Sequence, residues 1–95
     1  MASINISKIE EDDVQFVFKV EISDDGSKTQ HTVTLQKKDH HRLTNNAVEP
    51  SEFVRASFDF LLEREAKESI LSRFDIMDIT KYFPEYEAEI NNRLT

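Results

Sequence analysis

Between Gln15 and Leu35, apolar and polar side chains alternate along two stretches that are separated by Asp25 and Gly26. A period of two predicts β-strands with one apolar face each. Asp-Gly between such stretches predicts a two-residue type I′ turn, in which both central residues need φ > 0, a conformation glycine adopts freely and Asp tolerates. The turn fixes a register of Asp24 opposite Ser27, Ile22 opposite Thr29, Val20 opposite His31, Phe18 opposite Val33 and Phe16 opposite Leu35. A slip of one residue would put Phe16, Phe18 and Val20 on the face away from Val33 and Leu35, so turn chemistry and hydrophobic pattern agree independently. Gln15, Lys19, Glu21, Gln30, Thr32 and Thr34, with Val17 as the one apolar member, form the opposite, solvated face.

Upstream, Ile4 and Ile6 alternate with Ser3, Asn5 and Ser7, and the acidic run from Glu10 to Asp13 separates them from the hairpin. They are the candidates for a third strand, because two strands alone are marginal in water.

From Pro50 the period changes to about 3.6. Val54, Phe58, Leu61 and Leu62 fall on one helical face, and Glu52, Arg55, Asp59 and Glu63 on the other. Pro50 suits a first helical turn, where its missing N–H is not needed, and Glu52 complements the helix dipole. Phe53 and Phe60 widen the apolar stripe enough for more than one neighbour. Leu62, Ala66, Ile70 and Phe74 continue at steps of four, which allows one helix as far as Arg73. The charged stretch Glu63 to Glu68 favours two helices meeting near Ala66 and Lys67. Asp75 can cap a further short helix carrying Ile76, Ile79 and Phe83, which Pro84 interrupts. Tyr86, Ile90 and Leu94 align on a final helix, with Glu89 four residues before Arg93.

These elements predict one α+β domain: an antiparallel β-hairpin or three-stranded meander at 1–38, a loop at 39–49, and three to four helices at 50–95 packed on one sheet face. At 95 residues the chain can build one modest core, and seven Phe at regular spacings set it apart from a disordered segment. No apolar run approaches the roughly 20 residues that span a bilayer, and the first residues lack the basic and apolar regions of a signal peptide. A cytosolic, non-membrane setting is the expectation. Absence of cysteine excludes disulfides, thiolate metal sites and thiol catalysis. The net charge of −7 is spread evenly, with six basic and nine acidic residues in 1–49 and six and ten in 50–95. That balance disfavours nucleic acid as a partner.

The run PSEFVRASFDFLLERE followed by SILSRFDIMDITKYFPEYEAEI resembles a group of short prokaryotic proteins of unassigned function, in which a β-hairpin precedes a helical block with SF, FLL, RE, SIL, F and YFPEYE elements in this order. The matching positions are Ser57, Phe58, Phe60 to Leu62, Arg64, Glu65, Ser69 to Leu71, Phe74 and Tyr82 to Glu87. Similar sequences often carry proline where this chain has Ala66, which supports a helix break there. The resemblance implies the α+β fold and a prokaryotic setting, and no catalytic residue, cofactor or substrate.

Few residues carry chemistry. Asp39, His40 and His41 form the only cluster of metal-ligand type, with His31 able to approach if its strand folds back. Adjacent histidines in an extended segment point in opposite directions, so a solvated loop is the simpler reading. His31, opposite Val20, reads as a histidine on the core rim. Glu85, Glu87 and Glu89 spread over opposite faces of a helix and do not make a carboxylate pair. One glycine excludes phosphate loops, dinucleotide fingerprints and nucleophile elbows. Tyr82, Phe83, Pro84 and Tyr86 form the most distinctive string. It either locks the last helix onto the core or presents an aromatic patch to a protein partner. Apolar surfaces on nearly every element of so short a chain favour self-association. The expectation is a non-catalytic protein-interaction or regulatory module without cofactor that binds a protein partner or a second copy of itself, with two candidate surfaces: the exposed sheet edge and the Tyr82 to Tyr86 region. The rival readings are a nucleic-acid-associated regulator using residues 69–82 as a helix-turn-helix, with Arg64, Lys67 and Arg73 as its basic face, and a small enzyme or metal-binding protein.

Overall fold

In the computed structural model, which describes residues 2–94, the chain opens with three antiparallel strands, β1 (Ser3–Glu11), β2 (Gln15–Asp24) and β3 (Ser27–Gln36). Two helices come next, α1 (Lys37–Thr44) and α2 (Pro50–Leu62), then a 3-10 turn at Lys67–Ser69. A short strand β4 (Arg73–Asp75), a second 3-10 turn at Ile76–Asp78, α3 (Ile79–Tyr82) and α4 (Tyr86–Leu94) complete an α+β fold. The sheet order is β1-β2-β3-β4.

The hairpin register is the one the turn chemistry demands, from Asp24 opposite Ser27 to Phe16 opposite Leu35. Asp25 and Gly26 adopt φ of 49° and 78°. Ile4 and Ile6 belong to a third strand that pairs with Ile22 and Val20 and continues through Glu10 and Glu11. A β-bulge at Ile9 breaks its register between Lys8 and Glu10. Asp12 then closes the β1–β2 turn, its Oδ1 accepting the backbone N–H groups of Val14 (2.8 Å) and Gln15 (2.9 Å). Those two bonds hold the Asp12 carboxyl below its ordinary range.

One sheet face is buried. Phe18, Val20, Ile22, Val33 and Leu35 meet Phe53, Val54, Phe58, Phe60 and Leu61 of α2, together with Phe74, Ile76, Ile79, Tyr86 and Ile90. Full burial of a side chain such as Phe58 contributes about 1.5–3 kcal/mol. Within this core Ser57 donates to the carbonyl of Phe53 at 2.9 Å, so its remaining lone pair accepts the Tyr86 hydroxyl at 2.5 Å. Burial pushes the Tyr86 phenol well above its ordinary pKa, against the smaller opposing effect of the Ser57 bond.

Three expectations need correction. The stretch read as a loop at 39–49 begins inside α1, which ends at Asn45 with φ of 54°. Its one apolar residue is Leu43, too little to give a helical stripe; Leu43 packs half-buried against the core, and the buried residue of α1 is His40. The helix α2 stops before Ala66, and the chain continues as a 3-10 turn and a strand instead of a second long helix. The steps of four linking Leu62, Ala66, Ile70 and Phe74 are thus coincidental. β4 pairs in parallel with β3, Phe74 beside Val33. For that reason residues 69–82 do not form a helix-turn-helix. The later elements match the sequence reading: Asp75 caps its turn through a reciprocal box with Asp78, α3 stops at Tyr82 before Phe83 and Pro84, and Tyr86 and Ile90 of α4 face the core.

Candidate functional site

The end of α2 and the segment from Ser69 to Phe83 enclose a cleft of about 130 Å³. Leu61, Ile70, Phe74 and Ile79 give it an apolar lining, and Glu65, Ser69 and Asp78 give it a polar rim. Leu71 and Tyr82 also line it and are 50% and 65% exposed, two of only four large hydrophobic side chains so exposed among the described residues.

Each wall is fixed from below. The Leu71 carbonyl accepts a hydrogen bond from His31 Nδ1 at 2.8 Å, which leaves the Nε2 lone pair to accept the Thr29 hydroxyl at 2.9 Å. His31 is 3% exposed, so the histidine expected on the core rim is a buried anchor between β3 and the cleft. Asp75 accepts the Met77 N–H at 2.9 Å and the Gln36 amide at 3.0 Å, while Asp78 accepts the Asp75 N–H at 3.1 Å. Phe83, half-buried, packs edge-on against Phe60 with centroids 5.8 Å apart. The guanidinium of Arg64 stacks 3.6 Å from the same Phe60 ring centre and bonds Glu85 at 3.2 Å. Across the rim, the half-buried Glu65 carboxylate has no ion-pair or hydrogen-bond partner among the described residues.

The aromatic string is divided between roles. Tyr82 and Pro84 are exposed and Phe83 is half-buried, whereas Tyr86 is fully buried and leaves the candidate surface. The ligand-type cluster is also split. His40 is buried between the rings of Phe16 and Phe53 and donates from Nε2 to the Val48 carbonyl at 2.7 Å. His41 is exposed one position on, its Nδ1 accepting from the Asn46 amide, and Asp39 pairs with Arg42 at 3.5 Å. His31 lies on β3 and turns toward Leu71. Among the described residues no group of three or more His, Cys, Asp and Glu side chains is placed to hold a metal ion. A more open hollow of about 300 Å³ beside His40, formed by the α1–α2 connection, is mainly polar. Each of Glu85, Glu87 and Glu89 is engaged by a different arginine: Glu85 pairs with Arg64, Glu87 with Arg42 at 2.9 Å, and Glu89 with Arg93 at 3.9 Å.

No family model, curated protein or solved structure matches the chain. Among the described residues no helix is long and apolar enough to cross a membrane. Of the proposed basic face, Arg64 is occupied by Glu63 and Glu85, and Lys67 is 7% exposed with its ammonium 2.8 Å from Glu68. The Glu68 hydrogen bond foremost, and the nearby Asp24 and Asp25 of the hairpin tip, raise the Lys67 pKa. Arg73 is left as the one member without such a partner among the described residues.

Cleft residues are scattered over the sequence as Leu61, Glu65, Ile70, Leu71, Phe74 and Tyr82, and no spacing rule joins them. The signal that could have found them is Leu71 beside Ser72, an apolar residue outside every predicted stripe.

Proposed function

We propose that this chain is a non-catalytic protein-interaction module whose cleft takes an apolar side chain of a partner protein, with a neighbouring Lys or Arg of that partner pairing with Glu65. The observation that carries this reading is the exposure of Leu71 and Tyr82 around an apolar cleft, beside a half-buried carboxylate that has no partner among the described residues of its own chain. Large apolar residues left in water at the rim of a concave site mark an interaction surface, and tyrosine contributes rigid area at such positions. The cleft suits one side chain rather than a metabolite, since drug-sized sites run to about 300–1,000 Å³. A cytosolic setting belongs to the same reading.

The test is parallel affinity capture from the native cell with the wild-type chain, Tyr82→Ser, Leu71→Ser and Glu65→Gln. A protein retained by the wild type, lost by Tyr82→Ser and Leu71→Ser and weakened by Glu65→Gln is the expected result. Identical captured sets for all four proteins would overturn the reading.

A further inference from the structure

The molecule has two sheet edges, and they are unequal. β4 is three residues long and carries Arg73 and Asp75, so it offers little to an incoming strand. β1 is nine residues long and lies at the opposite edge. Open edges are ordinarily blunted by charge, proline or a bulge. On β1 all such protection is at one end, where the Ile9 bulge, Lys8, Glu10 and Glu11 cluster. Ser3 to Ser7 carries no charge, no proline and no bulge.

The ladder says which backbone groups this segment leaves free. A two-residue turn closes on a hydrogen-bonded pair, Asp24 with Ser27, and such pairs alternate along an antiparallel ladder. Ile22 and Val20 therefore direct their N–H and C=O groups to β3, and Glu21 and Lys19 direct theirs to β1. Asn5 and Ser7, opposite Glu21 and Lys19, bond back to β2. Ile4 and Ile6 point their N–H and C=O groups out of the sheet.

We infer that β1 pairs antiparallel with β1 of a second copy, about a two-fold axis at Asn5, to form one continuous eight-stranded sheet. Only a self-complementary register lets one edge meet itself. With the axis at Asn5, Ile4 of each copy lies opposite Ile6 of the other, so the outward backbone groups of both meet. Ser3 lies opposite Ser7, and the pairing brings no two like charges face to face. On the buried face the half-exposed Ile4 and Ile6 side chains of the two copies adjoin, extending the apolar layer across the axis. The Ile9 bulge twists the strand away beyond the paired segment and ends it. This dimer uses a surface separate from the cleft and stands or falls independently of it.

Because the chain has no cysteine, one substitution reads the register. At the axis Asn5 forms a non-hydrogen-bonded pair with its own copy, where Cα atoms sit about 4.5 Å apart, inside the roughly 4.4–6.8 Å range a disulfide spans. Asn5→Cys should cross-link into a dimer on mild oxidation, as should Ser3→Cys combined with Ser7→Cys. Lys28→Cys, on the same outer face of β3, should not. In sedimentation the wild type should move toward twice the chain mass as concentration rises, more readily in added salt because that screens the charge of −7 on each copy. Ile6→Lys should stay monomeric with its circular dichroism spectrum retained. A wild type that remains monomeric at millimolar concentration in high salt would overturn the proposal, as would Asn5→Cys cross-linking no faster than Lys28→Cys.

Discussion

Gly26 illustrates a residue whose importance is conformational alone. A Cβ added there meets nothing within 4 Å, yet φ is 78°. Gly26→Val should lower stability by more than about 1 kcal/mol through backbone strain, and Gly26→Asn should cost less, since Asn tolerates the left-handed region. Denaturant midpoints of the two variants check this. The buried Ser57–Tyr86 pair separates two further effects. Tyr86→Phe removes a bond and leaves Ser57 still donating to Phe53, so it should cost about 1 kcal/mol. Ser57→Ala strands a buried phenol and should cost more, about 1–3 kcal/mol. The raised Tyr86 pKa adds a pH signature. Its contribution is complete below pH 10, the ordinary value, and is lost above it because the unfolded chain ionises first. Tyr86→Phe should therefore flatten the alkaline limb of the stability profile measured by denaturant titration.

At the level of elements, Ala66 marks where α2 has ended and the 3-10 turn begins, with φ of −72° and ψ of 152°. Proline is locked near that φ, so Ala66→Pro should stabilise by about 0.4–1 kcal/mol, read as a higher denaturant midpoint. Legibility tracked the length of each element's periodic pattern. β2, β3 and α2 repeat their period several times, and the Asp25–Gly26 turn fixed one register among many. α1 shows a single apolar residue, and its anchor is a histidine, a type normally assigned to water. β4 has one apolar residue and no turn signal, because a parallel partner arrives from far along the chain. The cleft was half visible: Tyr82 and Phe83 stood out as aromatic, while Leu71 and Glu65 acquire meaning only when β4 brings their segment beside α2.

Over the whole molecule, charge acts in two opposite directions. The Arg93 hydrogen bond holds Glu63 below the usual carboxylate range, the Lys67 bond does so for Glu68, and Lys8 followed by Lys37 for Glu11. Such groups contribute stability above their ordinary pKa of 4.5 and lose it as pH falls. Self-repulsion from the charge of −7 shrinks as pH approaches the isoelectric point near 4.9. The lowered carboxylate pKa values set the net direction: stability should hold from neutral pH to about pH 5 and fall below it as these groups take up protons, which thermal melts across this range would trace.

The bond from His31 to Leu71 spans 40 residues, and β4 joins β3 over a similar interval. Closing such an interval costs roughly 3 kcal/mol of chain entropy before any contact repays it, far more than the two-residue hairpin requires. That difference sets a folding order. The β2–β3 hairpin belongs early and the docking of β4 late, so Ile22→Val should slow folding, while Phe74→Leu should chiefly speed unfolding in stopped-flow measurements. A chain still emerging or half folded would then hold its hairpin without its cleft, and the cleft would be the last feature the molecule acquires and the first it loses.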